Sequence, residues 1–111
     1  MHLEDWQKKI EKIYYEKDKN RGVAWSYAWL VEEIGELGAE LRKMDLQEED
    51  ERINMKHLNE EFADCLAWLS TLASLAGVKL EECVKKYDRG CPYCHTTPCT
   101  CLPLNWKNLG K

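Results

Sequence analysis

Apolar residues recur every three or four positions through most of the first 88 residues. They form three stripes: Leu3, Trp6, Ile10 and Ile13; Val23, Tyr27, Leu30, Ile34, Leu37, Leu41 and Met44; and Leu58, Phe62, Cys65, Leu69, Leu72 and Ala76. This spacing puts the apolar side chains on one face of a helix, so each stripe predicts an amphipathic helix with that face buried. No segment alternates apolar and polar residues as a strand does. The pattern therefore predicts an all-α protein.

Polar and glycine-containing segments separate the predicted helices. Residues 18–22 break the first helix from the second, and the acidic stretch 45–52 is expected to be a solvated loop or a short helix. Gly77 is placed where a helix C-cap glycine belongs, and residues 80–87 are long enough for a short fourth helix. We therefore expect a bundle of four helices.

The composition changes at Gly90. Three prolines, two glycines and four of the six cysteines fall in residues 90–111. Such a segment cannot bury enough apolar surface to order itself unaided. The chain is accordingly divided into a helical domain, residues 1–89, and a small irregular cysteine-rich tail, residues 90–111.

Charge is distributed unevenly along the chain. The formal net charge is −4, yet residues 30–64 hold 12 acidic and 4 basic residues. This balance excludes binding to a nucleic-acid polymer through a broad basic face, and it points to something cationic held by the middle of the chain. No apolar run reaches the length of a membrane span and no secretory signal is recognisable, so we expect a cytoplasmic protein without a membrane partner.

Two pairs of acids stand out in the acidic segment. Glu33 and Glu36 are three residues apart on the second helix, and Glu61 and Asp64 are three apart on the third. Each pair lies on the same flank of its apolar stripe, so packing of the two helices would gather four carboxylates that suit Mg²⁺ or Mn²⁺. The alternative is four ordinary acids on the rim of a bundle. A di-iron site is disfavoured because no histidine follows a glutamate by three residues.

The same residues carry a family resemblance. The segments Trp29-Leu-Val-Glu-Glu-Ile-Gly-Glu-Leu-Gly-Ala-Glu40 and Glu60-Glu-Phe-Ala-Asp-Cys-Leu-Ala-Trp68 resemble the MazG-like all-α nucleoside triphosphate pyrophosphohydrolases. That family has Glu-x-x-Glu on one helix and Glu-x-x-Asp on the next. The upstream Lys17-Asp-Lys-Asn-Arg-Gly22 is similar to short archaeal-type members, and the likeness covers about residues 1–88.

The resemblance implies hydrolysis of a nucleoside triphosphate to a monophosphate and pyrophosphate, as part of nucleotide-pool housekeeping. It implies Mg²⁺ ligands at Glu33, Glu36, Glu61 and Asp64, with Glu40 as a less certain member. Glu36, together with Glu33, is the candidate for catalysis, and Glu36 would accept the proton of the attacking water. Two alternatives stay open: a phosphoribosyl-ATP pyrophosphohydrolase, and a non-catalytic zinc-binding interaction module on the same scaffold.

Other residues of the substrate site are expected near the acids. Trp29 and Trp68 are each one turn from an acid pair and, with Trp25, offer a surface on which a base stacks; core packing is the alternative. Many family members place a lysine and an asparagine after the fourth helix, facing the phosphates. Residues 85–90 lack the asparagine, and Lys86 and Arg89 are the candidates, with solvated helix-end cations as the alternative.

The tail has the spacing of a compact metal knuckle. Cys91, Cys94, Cys99 and Cys101 put four thiols within 11 residues, which predicts a structural Zn²⁺ site, with His95 as a possible replacement ligand. The alternative is loose or redox thiols, and disulfides are disfavoured in a cytoplasmic protein. A chain with so few helices leaves apolar faces uncovered, and the family usually pairs them, so we expect a homodimer or a dimer of dimers.

Overall fold

The computed structural model describes residues 1–46 and 55–102. Within them the protein is all-α, with helix α1 at Leu3–Leu46, α2 at Met55–Leu75 and α3 at Leu80–Cys83, followed by a 3₁₀ turn at Val84–Tyr87. The all-α prediction is confirmed. The predicted count of four helices is not, because these residues form three α-helices. Most of the acidic stretch 45–52 lies outside the described residues.

A kink at Gly22 divides α1 into two arms. Gly22 has φ 85° and ψ 172°, which is far from helical geometry. The break falls at the end of the segment 18–22 where the sequence predicts one, although the helix resumes at once. A positive φ favours glycine because it has no Cβ to clash with the backbone.

Both arms of α1 pack against α2. The first arm is tied to the second half of α2 by hydrogen bonds: the Trp6 indole donates to Ser70 Oγ over 2.8 Å. The Gln7 amide donates to Ser74 Oγ over 3.1 Å and, beyond the end of α2, to the Val78 carbonyl over 2.9 Å. Two serines, Ser26 and Ser70, are fully buried, which is consistent with a close approach of the helix backbones.

The apolar stripes are only partly buried, which corrects the prediction that each stripe faces a core. Ile10, Leu30, Leu58 and Ala73 are the buried apolar residues among those described. Tyr27, Val31 and Ile34 follow one another at helical spacing and are 60%, 49% and 52% exposed. The physical reason is that two packed helices cover only one flank of each stripe.

The end of α2 and the residues after it form the transition to a second unit. The Val78 amide donates to the Ala73 carbonyl over 2.7 Å around Gly77, so the predicted C-cap is confirmed. The chain divides into two compact units, Met1–Leu80 and Glu81–Lys111. The domain boundary predicted at residue 90 stays a prediction. In the described part of the chain, no single helix has the length and apolar character needed to cross a membrane. The helical segments Met55–Leu75 and Leu80–Tyr87 reach that length and composition only together, as a bent pair.

Candidate functional site

Three carboxylates meet between the second arm of α1 and the first half of α2. Oxygens of Glu33, Glu61 and Asp64 all lie within 4.8 Å of one another. Glu61 and Asp64 are three residues apart on one face of α2, and Glu33 comes from α1. The structure therefore brings together acids from both of the pairs identified in the sequence. We call these three residues and Glu36 the carboxylate cluster.

Glu36 belongs to the cluster by its electrostatic contacts. Its side chain interacts with those of Glu33 and Glu61, and it raises the pKa of both. Glu36 is itself exposed to solvent, whereas Glu33 and Glu61 are half-buried. Glu40, the less certain fifth member, also acts on Glu61 but forms an ion pair with Lys43 at 3.3 Å.

Two members of the cluster, Glu33 and Glu61, hold protons more tightly than isolated carboxylates do. Burial, followed by the charges of Glu36 and Asp64, raises the pKa of Glu33 to about 7. Burial and the same two neighbours raise the pKa of Glu61. Both effects disfavour the charged carboxylate, so a cation placed in the cluster would relieve them.

The donor set fits a hard divalent cation. Glu33 Oε2 and Glu61 Oε2 are buried, and neither has a hydrogen-bond partner. Among the described residues, no lysine or arginine forms an ion pair with any member of the cluster. Buried, unpaired carboxylate oxygens from two helices are the ligands that Mg²⁺ and Mn²⁺ prefer.

Two of the three tryptophans that are predicted to bind the base are in contact with each other. The rings of Trp29 and Trp68 are stacked, with centroids 6.0 Å apart and planes at 12°. Their meeting follows from the packing of α1 on α2, which places each within about one turn of the acids. Trp25 is exposed. The role of these residues in base binding stays a prediction.

The sequence interpretation missed a buried polar group beside the cluster. Asp18 accepts a hydrogen bond from Thr71 at 2.9 Å and pairs with Arg21 at 2.7 Å. The Arg21 guanidinium also lies 4.7 Å from the Trp68 ring centroid. Asp18 and Arg21 were visible only as part of the segment 17–22, because their partners on α2 are some 50 residues away in sequence.

The predicted cysteine cluster is assembled in the second unit. The sulfurs of Cys91, Cys94, Cys99 and Cys101 lie within 4.8 Å of one another, an arrangement that could hold a metal ion. Sγ of Cys91 is 3.8 Å from that of Cys101, and Sγ of Cys94 is 3.9 Å from that of Cys99. A tetrahedron with Zn–S bonds of about 2.3 Å has edges of about 3.8 Å, so the donor set fits zinc.

Backbone turns hold the thiols in place. The His95 amide donates to the Cys91 carbonyl over 2.7 Å, and the Cys91 amide donates to the Thr96 carbonyl over 3.0 Å. The Thr100 amide donates to Cys94 Sγ over 3.3 Å. Hydrogen bonds from Thr96 and Thr100 lower the pKa of Cys94 to about 5, which favours the thiolate that a metal ion binds.

Two further predicted residues lie in the same unit as the cysteines. Lys86 and Arg89 are both exposed, and the Lys86 ammonium is 5.9 Å from the ring centroid of Tyr87. Among the described residues of this unit, nothing in their surroundings marks them as phosphate ligands. Their predicted role in phosphate binding stays a prediction.

Comparison with known proteins identifies a family for this chain. A family model described as MazG nucleotide pyrophosphohydrolase domain matches residues 24–95, well over half of the chain. Searches of curated proteins and of solved structures gave no significant match. The chain belongs to the MazG nucleotide pyrophosphohydrolase family, and the resemblance recognised from residues 29–40 and 60–68 is confirmed. Family membership implies a nucleotide pyrophosphohydrolase in general terms.

Proposed function

We propose that the protein is a Mg²⁺-dependent nucleoside triphosphate pyrophosphohydrolase. Water would attack the α-phosphorus, the bond between that phosphorus and the bridging oxygen to the β-phosphate would break, and a nucleoside monophosphate and pyrophosphate would leave. The observation that carries the proposal is the gathering of Glu33, Glu61 and Asp64, with two buried carboxylate oxygens that lack partners. A buried group of this kind is costly unless a cation joins it.

The carboxylates would have distinct roles. Glu33, Glu61 and Asp64 offer oxygens close enough to share one ion, and bound Mg²⁺ (or Mn²⁺) would neutralise the triphosphate and favour ionisation of the attacking water. Glu36 interacts with Glu33 and Glu61 but is exposed, so it is the best placed to accept the proton of that water. Trp25 and Trp29, with Trp68 stacked against Trp29, would provide the surface for the base.

Zinc would have a structural part in the same molecule. Four cysteine ligands complete a tetrahedral site and leave no open position for substrate. The ion would order a segment that has little apolar surface of its own. The zinc ion would therefore have a structural role and no catalytic role.

Replacement of Glu36 tests the proposed reaction. Glu36→Gln removes the proton acceptor with little change in shape, and we expect a loss of kcat of about a hundredfold or more. Glu32→Gln is the matched control, because Glu32 is exposed on the same helix and outside the cluster. The assay follows monophosphate and pyrophosphate from a panel of canonical and damaged triphosphates and phosphoribosyl-ATP, with and without added Mg²⁺.

The outcomes separate the candidate functions. Activity confined to phosphoribosyl-ATP would replace the proposed substrate but keep the reaction. A wild-type protein as inert as Glu36→Gln across the panel would favour a non-catalytic zinc-binding module. Equal activity with and without Mg²⁺ would contradict the role given to the cluster.

A further inference from the structure

A cavity of about 220 Å³ opens beside the carboxylate cluster. Its walls come from the first arm of α1 and from α2, and Asp64 belongs both to this wall and to the cluster. Two cationic residues, Lys17 and Arg21, lie on the α1 side. A ligand bound to a metal ion at Asp64 would therefore reach this cavity directly.

Arg21 is held in place before any ligand arrives. Its Nη1 lies 2.7 Å from Asp18 Oδ1, and the other oxygen of Asp18 accepts the Thr71 hydroxyl over 2.9 Å. Asp18 and Thr71 are both buried, so this anchor is protected from water. A guanidinium fixed in this way loses little further side-chain entropy on binding, which favours affinity.

The cavity offers hydrogen-bond donors and positive charge. Both oxygens of Asp18 are already engaged, whereas the Arg21 guanidinium has five N–H donors, of which the 2.7 Å contact uses one. Lys17 is exposed and forms no ion pair within the described residues. Asp18 is already paired, and a metal ion would offset the charge of Asp64, so Lys17 and the remaining donors of Arg21 suit an anionic ligand rich in acceptor oxygens.

The aromatic wall is less suited to a base in this arrangement. The Trp68 ring is contacted by Arg21 at 4.7 Å and by Trp29 at 6.0 Å between centroids. A base could stack on Trp68 from the cavity only if the Arg21 guanidinium moved off the ring. Because the Arg21 guanidinium already lies over this ring, the cavity favours a phosphate over a base.

We propose that Lys17 and Arg21 bind the phosphate chain of the substrate inside this cavity. The identification of the ligand as a nucleoside triphosphate rests on the proposed function, whereas the preference for a phosphate chain rests on the cavity. Lys86 and Arg89 are not needed for this contact. Lys17 and Arg21 are binding residues, and the carboxylates carry out the catalytic chemistry.

Binding of inorganic tripolyphosphate, which carries no base, tests the proposal on the full chain. Isothermal calorimetry with Mg²⁺ present is expected to show binding to the wild type and about tenfold weaker binding to Lys17→Ala, the loss of one charge-assisted hydrogen bond. Lys19→Ala is the matched control, because Lys19 is an exposed lysine two residues away that does not line the cavity. The affinity of Lys19→Ala for tripolyphosphate should stay within about twofold of that of the wild type.

Arg21→Lys adds a second measurement. It keeps the charge but loses the planar fork, so a partial loss of tripolyphosphate affinity is expected, with KM for the triphosphate raised in parallel. Lys17 has no structural partner in the described residues, so Lys17→Ala carries the test even if the Arg21 variant does not fold.

The remaining outcomes of these measurements either overturn or support the proposed phosphate site. Equal weakening in Lys17→Ala and Lys19→Ala would mean general electrostatics, and it would overturn the proposal. Unchanged tripolyphosphate affinity in Lys17→Ala, with an altered preference among bases, would place the base in the cavity and overturn it as well. A wild type that binds tripolyphosphate through Lys17 but hydrolyses no triphosphate would refute the proposed function and support the anion site.

Discussion

At the scale of single residues, Glu33 is a carboxylic acid whose ionisation the folded protein disfavours. Burial and neighbouring carboxylates raise its pKa to about 7, from an ordinary value of 4.5. In the metal-free protein the folded state therefore holds a proton that the unfolded state releases between these two values. By linkage, the free energy of unfolding falls as pH rises through that window.

The metal-free protein should accordingly be more stable at pH 5 than at pH 8. We expect a difference of about 1–2 kcal/mol from Glu33, less than the full shift implies because solvent reaches the cluster. Urea unfolding in buffer without added Mg²⁺ measures it; chelators are avoided because they would also remove zinc. Glu33→Gln cannot ionise, so its stability should vary less over this range and exceed that of wild type at pH 8. A wild-type stability that rises between pH 5 and pH 8 would contradict this account.

At the scale of elements, Gly22 allows one continuous stretch of helix to serve as two arms. Its φ of 85° is a conformation that other residues adopt only with strain. Both arms pack on α2, so the kink at Gly22 lies between the Asp18–Arg21 ion pair and the two glutamates that α1 contributes to the carboxylate cluster.

Gly22→Ala should lower the free energy of unfolding by about 1–2 kcal/mol. The cause is backbone strain and not crowding, since a Cβ at Gly22 would meet no atom within 4 Å. Gly38→Ala is the control: this position is helical, exposed and equally open, so the same substitution there should stabilise by about 0.5–1 kcal/mol. Chemical denaturation of the three proteins compares them. Two substitutions with the same effect would show that Gly22 is not required for the kink.

The cysteine segment should bind about one zinc ion per chain. Cys94→Ala removes one of four ligands, so zinc measured by elemental analysis of the purified, dialysed protein should fall to less than a tenth of that. Cys83→Ala is the matched control, since Cys83 is an exposed thiol outside the cluster and its loss should leave the zinc content unchanged. Wild-type protein without zinc, with four freely titratable tail thiols, would refute the site.

At the scale of the whole molecule, the uncovered apolar faces support our proposal that the protein is a homodimer or a dimer of dimers. Its buried apolar core among the described residues is small, while Tyr27, Val31 and Ile34 form an exposed row on α1. A row of large apolar side chains at helical spacing is typical of a surface that a second helix covers.

Val31→Lys should therefore weaken self-association by about tenfold or more, because it puts a charge into the apolar contact. Sedimentation equilibrium over a range of concentrations measures the effect. Val84→Lys is the matched control: Val84 is also 49% exposed but belongs to the second unit, outside the row. A wild type that stays monomeric at high concentration would contradict the proposal of a homodimer.

The sequence by itself determined the all-α character of the chain, the break within residues 18–22, the two acid pairs and the cysteine set. These features are local: helical periodicity, cap residues and ligand spacing act within a few turns of chain. The two segments that contain the acid pairs, residues 29–40 and 60–68, were also sufficient to identify the family, which the match over residues 24–95 confirms.

Only the tertiary structure decided which flank of each stripe is covered and which distant side chains meet. The burial of Asp18, its bond to Thr71 and the position of Arg21 near Trp68 depend on how the first arm crosses α2. Such contacts join residues about 50 positions apart, and no local pattern encodes them because side-chain spacing along a helix does not specify its neighbour.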